Sequence, residues 1–184
     1  MLKRIVELIY LLSDGEFKSG ADLADHFSVS RTTIASWVKD LSTYGLDVYK
    51  VRGRGYRLST TLDLLSKSDI LNGLNADVAR CICVLDVALN TASTNRSALN
   101  SRYGDSGWNI FIAEFQDSGR GRRGNQWVSP LGQNLLFSLG RKRHWKTDVL
   151  YSASLMVGLA IADVLSEMTV TPVKVKWPND LYIG

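Results

Sequence analysis

Glycine and arginine interleave over Gly119-Arg120-Gly121-Arg122-Arg123-Gly124, a pattern that brings cationic side chains to a backbone without bulk. Glycines let the main chain wrap closely around a ligand. Guanidinium groups present planar forks of donors suited to phosphates and carboxylates. Such a loop can close over an anionic nucleotide and shed water as it does so, with Trp127 available as an apolar lid. The glycines also satisfy the spacing G-x-G-x-x-G, which in a dinucleotide fold opens directly into a helix. Here Asn125-Gln126-Trp127-Val128-Ser129-Pro130 follows, which does not propagate a helix, and the arginines occupy positions that fold gives to small or apolar residues. The dinucleotide reading is rejected; a solvated basic loop would look the same in isolation.

Three further groups bear on the loop. In VKVKWPNDL, Lys174 and Lys176 share one strand face, and Pro178 is expected to end the strand and present Asn179 and Asp180 in a turn. A lysine, an amide and a carboxylate at a strand end suit phosphates and a metal-bound nucleotide. Ser93-Thr94-Asn95 follows one strand and opens a helix, where a hydroxyl is also a simple cap. Glu114 and Gln116 share a face with Ile110 and Ile112 on the strand that leads into the loop.

A separate constellation lies near the N-terminus. In a helix-turn-helix, exposed residues at the start of the second helix of the motif meet bases and phosphates. Those positions are Ser30, Arg31, Thr32, Thr33, Ser36 and Lys39, followed by Arg52 and Arg54 at the tip of a hairpin. Hydroxyls and the helix N-terminus suit phosphate, and Arg31 suits phosphate or guanine. The bland alternative is a small helical domain for protein contacts; the polar face and the paired arginines favour DNA.

The elements that must hold these residues can be read from periodicity. Leu2, Ile5, Val6, Leu8, Ile9 and Leu12 recur at helical spacing, a second helix fits Gly20–Phe27, and Ser30 caps a third that Gly45 stops. LDVYKV and YRLS around Arg52-Gly53-Arg54-Gly55 complete a winged helix-turn-helix over residues 1–60. Trp37 falls at the edge of the buried stripe, with core packing its expected role. Residues 61–68 read as a hinge-like linker passing into a helix around Asp69–Leu74. Over 69–184 strands (CICVLDV, WNIFIAEFQ, QNLLFSLGR, VKVKW) interleave with helices (SALNSRY and DVLYSASLMVGLAIADVLSEM), which gives an α+β class with a mixed sheet.

Composition narrows the classes. The chain has 184 residues, a formal net charge of +4, 45% hydrophobic and 22% charged residues, which excludes a disordered tail, a collagen-like fibre and a coiled coil. No apolar run approaches the roughly 20 residues of a membrane span. The opening MLKRIVELIYLLSDGE carries Glu7 within its apolar stretch and reads as an amphipathic helix instead of an export signal. Cys81 and Cys83 are expected to point the same way on a strand without forming a structural disulfide, so a reducing cytoplasm is the default.

Taken together, STN at 93–95, EFQDSGRGRRGNQW at 114–127 and KWPNDLY at 176–182, behind a winged helix-turn-helix, resemble the bifunctional biotin protein ligase and biotin-operon repressor family. The resemblance covers essentially the whole chain. It implies a catalytic domain like that of class II aminoacyl-tRNA synthetase-like biotin ligases, which joins biotin to ATP with Mg2+, holds biotinyl-AMP and passes biotin to a lysine of a biotin carboxyl carrier protein. By motif, Ser93, Thr94, Asn95, Gln116, Gly119, Arg120, Gly121 and Arg122 would surround biotin. Arg123, Trp127, Lys176, Asn179 and Asp180 would face the nucleotide, and Arg120, Arg122 and Lys176 would be catalytic. The resemblance gives no metal-binding residue of the protein's own. It further implies a homodimer on binding biotinyl-AMP, operator DNA as a partner and no membrane. Two departures accompany it. Asn125 stands where relatives often carry another basic residue. The family continues after KWPNDLY with a K-L-A-G-I-L-type strand whose lysine contacts the biotin carboxyl, and with further parts beyond. The 184 residues are therefore expected to be an N-terminal fragment with a partial site and weak or absent ligase activity. A lipoate-type ligase, or a ligand-sensing repressor without catalysis, are the competing readings.

Overall fold

Short polar residues start and stop the N-terminal helices. In this computed structural model, which describes residues 2–121, 125, 127–142, 147–177 and 180–184, helix α1 spans Leu2–Leu12 and buries Ile5, Leu8, Ile9 and Leu12. Helix α2 (Gly20–Phe27) begins at Ser19, whose hydroxyl accepts the N–H groups of Ala21 and Asp22. Helix α3 (Arg31–Asp40) begins at Ser30, which accepts the Thr33 N–H at 3.1 Å. Each cap satisfies donors that the first helical turn leaves unpaired. Trp37 is buried, edge-on to Phe27 at 5.4 Å between ring centroids, in line with a core role. After α3 the chain tightens into a 3-10 turn, Leu41–Tyr44, and reverses at Gly45.

Strands β1 (Val48–Val51) and β2 (Gly55–Leu58) pair antiparallel as the wing. Lys18 extends this sheet through reciprocal backbone bonds with Tyr56 at 2.8 and 2.9 Å. Glycine is required at 55: φ is +102°, and a Cβ there would lie 2.0 Å from the Lys18 carbonyl oxygen.

The expected linker is tied down on both sides. Leu62 N–H donates to Ser13 O, Leu62 and Leu64 pack on the helical core, and Leu65 N–H donates to the Glu114 carboxylate. Helix α4 (Lys67–Gly73) begins inside the span read as linker and is followed by α5 (Ala76–Arg80), which periodicity does not reveal in so short a segment. Cys81 consequently caps α5 and does not share a strand with Cys83; both thiols are free.

Strands β3 (Ile82–Thr91), β4 (Trp108–Gln116) and β5 (Leu136–Gly140) form a mixed sheet, with β3 parallel and β5 antiparallel to β4. Helix α6 (Thr94–Asn100) starts three residues earlier than SALNSRY suggests, because Ser93 is the residue that caps it. The α+β class and the helix-turn-helix followed by a mixed sheet are thus present. Leu89 and Leu131, from the sheet and its following loop, share one buried cluster with the helical core.

The chain divides into two compact units, Met1–Lys142 and Arg143–Gly184. In the second, α7 (Thr147–Met168) packs on a hairpin of β6 (Val173–Lys176) and β7 (Asp180–Ile183), with Val173 N–H donating to Ser166 Oγ. Asp180 does not sit in an open turn as expected: it opens β7, paired with Lys176. No helix among the described residues is long and apolar enough to cross a membrane.

Candidate ligand cavity and nucleic-acid face

The parallel pairing of β3 and β4 brings Thr91 beside Gln116, so both strands end at the edge where α6 begins. Pairing continues past the strands: Asp117 N–H donates to Thr91 O and Ser118 N–H to Ala92 O, each at 3.0 Å. Gln116 Oε1 accepts the Thr94 N–H at 2.8 Å and the Thr94 hydroxyl at 3.2 Å, while Ser138 Oγ lies 2.9 Å from Thr94 Oγ1. A backbone N–H can only donate, so this contact assigns the amide oxygen and leaves Nε2 on the side of Gly119. Thr94 is buried, and its network is satisfied throughout.

A cavity of about 500 Å3 opens at this edge, lined by Ser93, Thr94, Asn95, Gln116, Arg120 and Trp127 of the predicted residues. Trp127 lies over Gly119: a Cβ there would sit 3.2 Å from the indole Cδ1. Gly121 N–H donates to Asn125 O at 2.9 Å, closing the loop base, and a Cβ on Gly121 would approach that oxygen to 3.0 Å. Both approaches are tight, so a side chain at either position would have to displace its neighbour by a few tenths of an ångström. Arg122, Arg123 and Asn179 fall outside the described residues. Lys176 and Asp180 belong to the second compact unit, where they face each other across the β6–β7 hairpin.

Sequence reasoning missed part of the lining. Arg96 joins Arg120 on the cationic side, and among the described residues neither has a carboxylate partner. Leu99 and Leu135, 78% and 62% exposed, form an apolar wall with Leu136 and Phe137. The helical offset from Ser93 to Arg96 was the available signal for the arginine; the leucines gave none. A cavity with one apolar wall, a few convergent polar groups and two unpaired cations suits a small amphipathic anion.

Glu114, on the strand that leads into the loop, meets a linker amide. It is buried at 3% exposure and its carboxylate receives the Leu65 N–H. Burial pushes its carboxyl above the usual range; the Leu65 N–H opposes this and Asp63 adds to it.

On α3, Arg31, Thr32, Ser36 and Lys39 are exposed, as are Arg52 and Arg54 on the wing. Ser30 and Thr33 bond to each other through their hydroxyls at 2.9 Å, so both serve the cap. Phe17 and Arg57, which the sequence reading passed over, sit beside Arg54: its guanidinium stacks 4.2 Å above the Phe17 ring.

Residues 87–184 match the biotin/lipoate A/B protein ligase family, and residues 2–57 match an HTH domain. The chain is 37% identical over 179 residues to the bifunctional ligase/repressor BirA of Escherichia coli (strain K12), covering 97% of this chain and 54% of that protein. It is 29% identical over 183 residues to the bifunctional ligase/repressor BirA of Bacillus subtilis (strain 168), covering 99% and 55%. It is 33% identical over 134 residues to a biotin–[acetyl-CoA-carboxylase] ligase of Mycobacterium tuberculosis, covering 68% and 48%. The chain spans about half the length of the curated relatives it matches. With its second half carrying the ligase-family match and its cavity inside that match, the chain belongs to the biotin/lipoate A/B protein ligase family.

Proposed function

We propose that the protein is a biotin–[carrier protein] ligase that also represses transcription as a DNA-binding, biotin-responsive regulator. The observation that carries this reading is the cavity at the β3–β4–α6 edge, which Leu99, Leu135, Leu136 and Phe137 line together with Arg96 and Arg120 beside the Thr94–Gln116 network. In the reaction a biotin carboxylate oxygen attacks the α-phosphorus of ATP and pyrophosphate leaves with its electron pair. A carrier lysine amine then attacks the acyl carbon, loses a proton and expels AMP, leaving an amide. Both partners in the first step are anions, so fixed cations lower the cost of bringing them together.

Arg120 takes that role at the cavity, and Arg122, two positions on in the sequence, shares it. Ser93, Thr94, Asn95, Gln116, Gly119 and Gly121 surround biotin. Arg123, Trp127, Lys176, Asn179 and Asp180 serve the nucleotide. Magnesium enters as the counter-ion of ATP, and no protein ligand is assigned to it.

The repressor half of the reading rests on α3 and the wing. Arg31, Thr32, Ser36 and Lys39 meet the major groove, with Ser30 and Thr33 shaping the helix end, and Arg52 and Arg54 meet the flanking backbone. Retained biotinyl-AMP favours a homodimer, which spans a two-half-site operator. The protein works in the cytoplasm, where its carrier partner resides. The names of the relatives, ligase/repressor and biotin–[acetyl-CoA-carboxylase] ligase, support both halves.

The test is ATP–pyrophosphate exchange by the protein expressed from its gene. Exchange that requires biotin is expected. Exchange with lipoate in place of biotin, or none with either, contradicts the reading.

A further inference from the structure

Phe17 belongs to none of the motifs above, yet two guanidinium groups share its ring. Arg54 Cζ lies 4.2 Å and Arg57 Cζ 5.2 Å from the ring centroid. Arg57 also stacks at 5.4 Å on Tyr49, its directly opposite partner across the wing. Among the described residues neither arginine has a carboxylate partner, and Arg57 Nε is buried without a hydrogen bond. Two like charges on one ring repel each other. The quadrupole of the ring offsets part of that repulsion, and a bound anion would remove more.

The arrangement is held from below. Lys18, next to Phe17, is paired in both directions with Tyr56, and Gly55 makes the close crossing possible. Phe17 is therefore fixed relative to the hairpin that carries both arginines. Contact through the guanidinium faces leaves the in-plane donors of exposed Arg54 and the terminal N–H groups of Arg57 for a phosphate, while the buried Arg57 Nε is not among them.

We propose that Tyr49, Arg57, Phe17 and Arg54 form a preorganised contact for the DNA phosphate backbone, in which Phe17 is a positioning residue acting through Arg54 and Arg57. This rests on the DNA-binding reading and extends it from the tip arginines to an aromatic platform. Arg57 becomes a phosphate contact and Phe17 needs no contact with DNA of its own.

The experiment measures binding of the full protein to one fixed fluorescein-labelled duplex by anisotropy over a KCl series. Replacing Arg54→Ala or Arg57→Ala is expected to reduce the steepness of log K against log salt by about 1 each. Phe17→Leu is expected to weaken binding about three- to tenfold, and Phe17→Tyr, which keeps the ring, to restore it. In the Arg54→Ala, Arg57→Ala background, Phe17→Leu is expected to change affinity by less than about twofold. An equal loss from Phe17→Leu in both backgrounds, or binding by Phe17→Leu as tight as that of the unaltered protein, overturns the positioning role while leaving DNA binding in place. Absence of salt-dependent duplex binding by the unaltered protein overturns the DNA reading, and this inference with it.

Discussion

The nucleic-acid face and the ligand cavity lie in the same compact unit but are held by opposite kinds of restraint. On α3 the restraints are local. Ser30 caps three residues ahead, and Ile34 and Trp37 anchor the inner side one turn apart, leaving Arg31, Ser36 and Lys39 outside. At the cavity the restraints are remote in sequence. Thr94 depends on Gln116, 22 positions away, and on Ser138, 44 positions away. The difference teaches which substitutions stay local. A residue on the helix face can be changed without disturbing its supports, whereas several cavity residues are themselves supports.

Four substitutions can break or sharpen that contrast. The largest effect is expected from Arg120→Ala, which removes an exposed side chain that lines the cavity. Biotin-dependent pyrophosphate exchange should fall about 100-fold or more, with the urea midpoint unchanged; an unaltered exchange rate removes Arg120 from the chemistry. Gln116→Leu tests the cavity as a support. It strands the Thr94 N–H and hydroxyl, so stability should drop by about 1–3 kcal/mol and biotin binding weaken in parallel. Weakened binding at full stability would mean that Gln116 is a ligand contact only.

Arg31→Ala tests the other side. Stability should stay within about 0.5 kcal/mol, while the salt dependence of duplex binding becomes shallower by about 1 in slope. A stability loss like that of Gln116→Leu would erase the distinction between the two regions.

The smallest effect concerns Glu114 and pH. Burial raises its carboxyl in the folded protein, so the native state holds this proton more tightly than the unfolded chain. Its contribution to stability is fully present below the ordinary carboxylate range and is lost as pH rises through the raised native value. Glu114→Gln keeps an oxygen to accept the Leu65 N–H and should remove that part of the slope. Urea midpoints measured across this window check it, and an identical decline in both proteins contradicts the assignment.

The same contrast explains what could be read before the structure. Helix Gly20–Phe27, the Ser30 cap and strand Trp108–Gln116 follow from short-range rules and lie where those rules put them, whereas α3 ends at Asp40 and Gly45 stops the 3-10 turn that follows it. Ser93, Thr94, Gln116, Arg120 and Trp127 were legible as a set only through their motifs; the cavity that unites them depends on parallel strand pairing, which no local pattern encodes. Leu99 and Leu135 carried no signal of their own, and Arg96 only its offset from the Ser93 cap. The partner of Glu114 could not be read, because strand alternation gives a face and not a partner, and that partner is a linker amide 49 positions away. Cys81 was misplaced because α5 spans only five residues, too few for a period to show. Phe17 escaped notice because its role comes from the Lys18–Tyr56 bridge, a contact between distant parts of the winged domain.

The most direct test of the account is a calorimetric titration of biotin into the protein expressed from its gene, alongside its Arg120→Ala variant. The account predicts saturable binding at one site per chain, strengthened by ATP in the unaltered protein and not in the variant. Heat with lipoate but none with biotin, or biotin binding whose response to ATP is the same in both proteins, would contradict it.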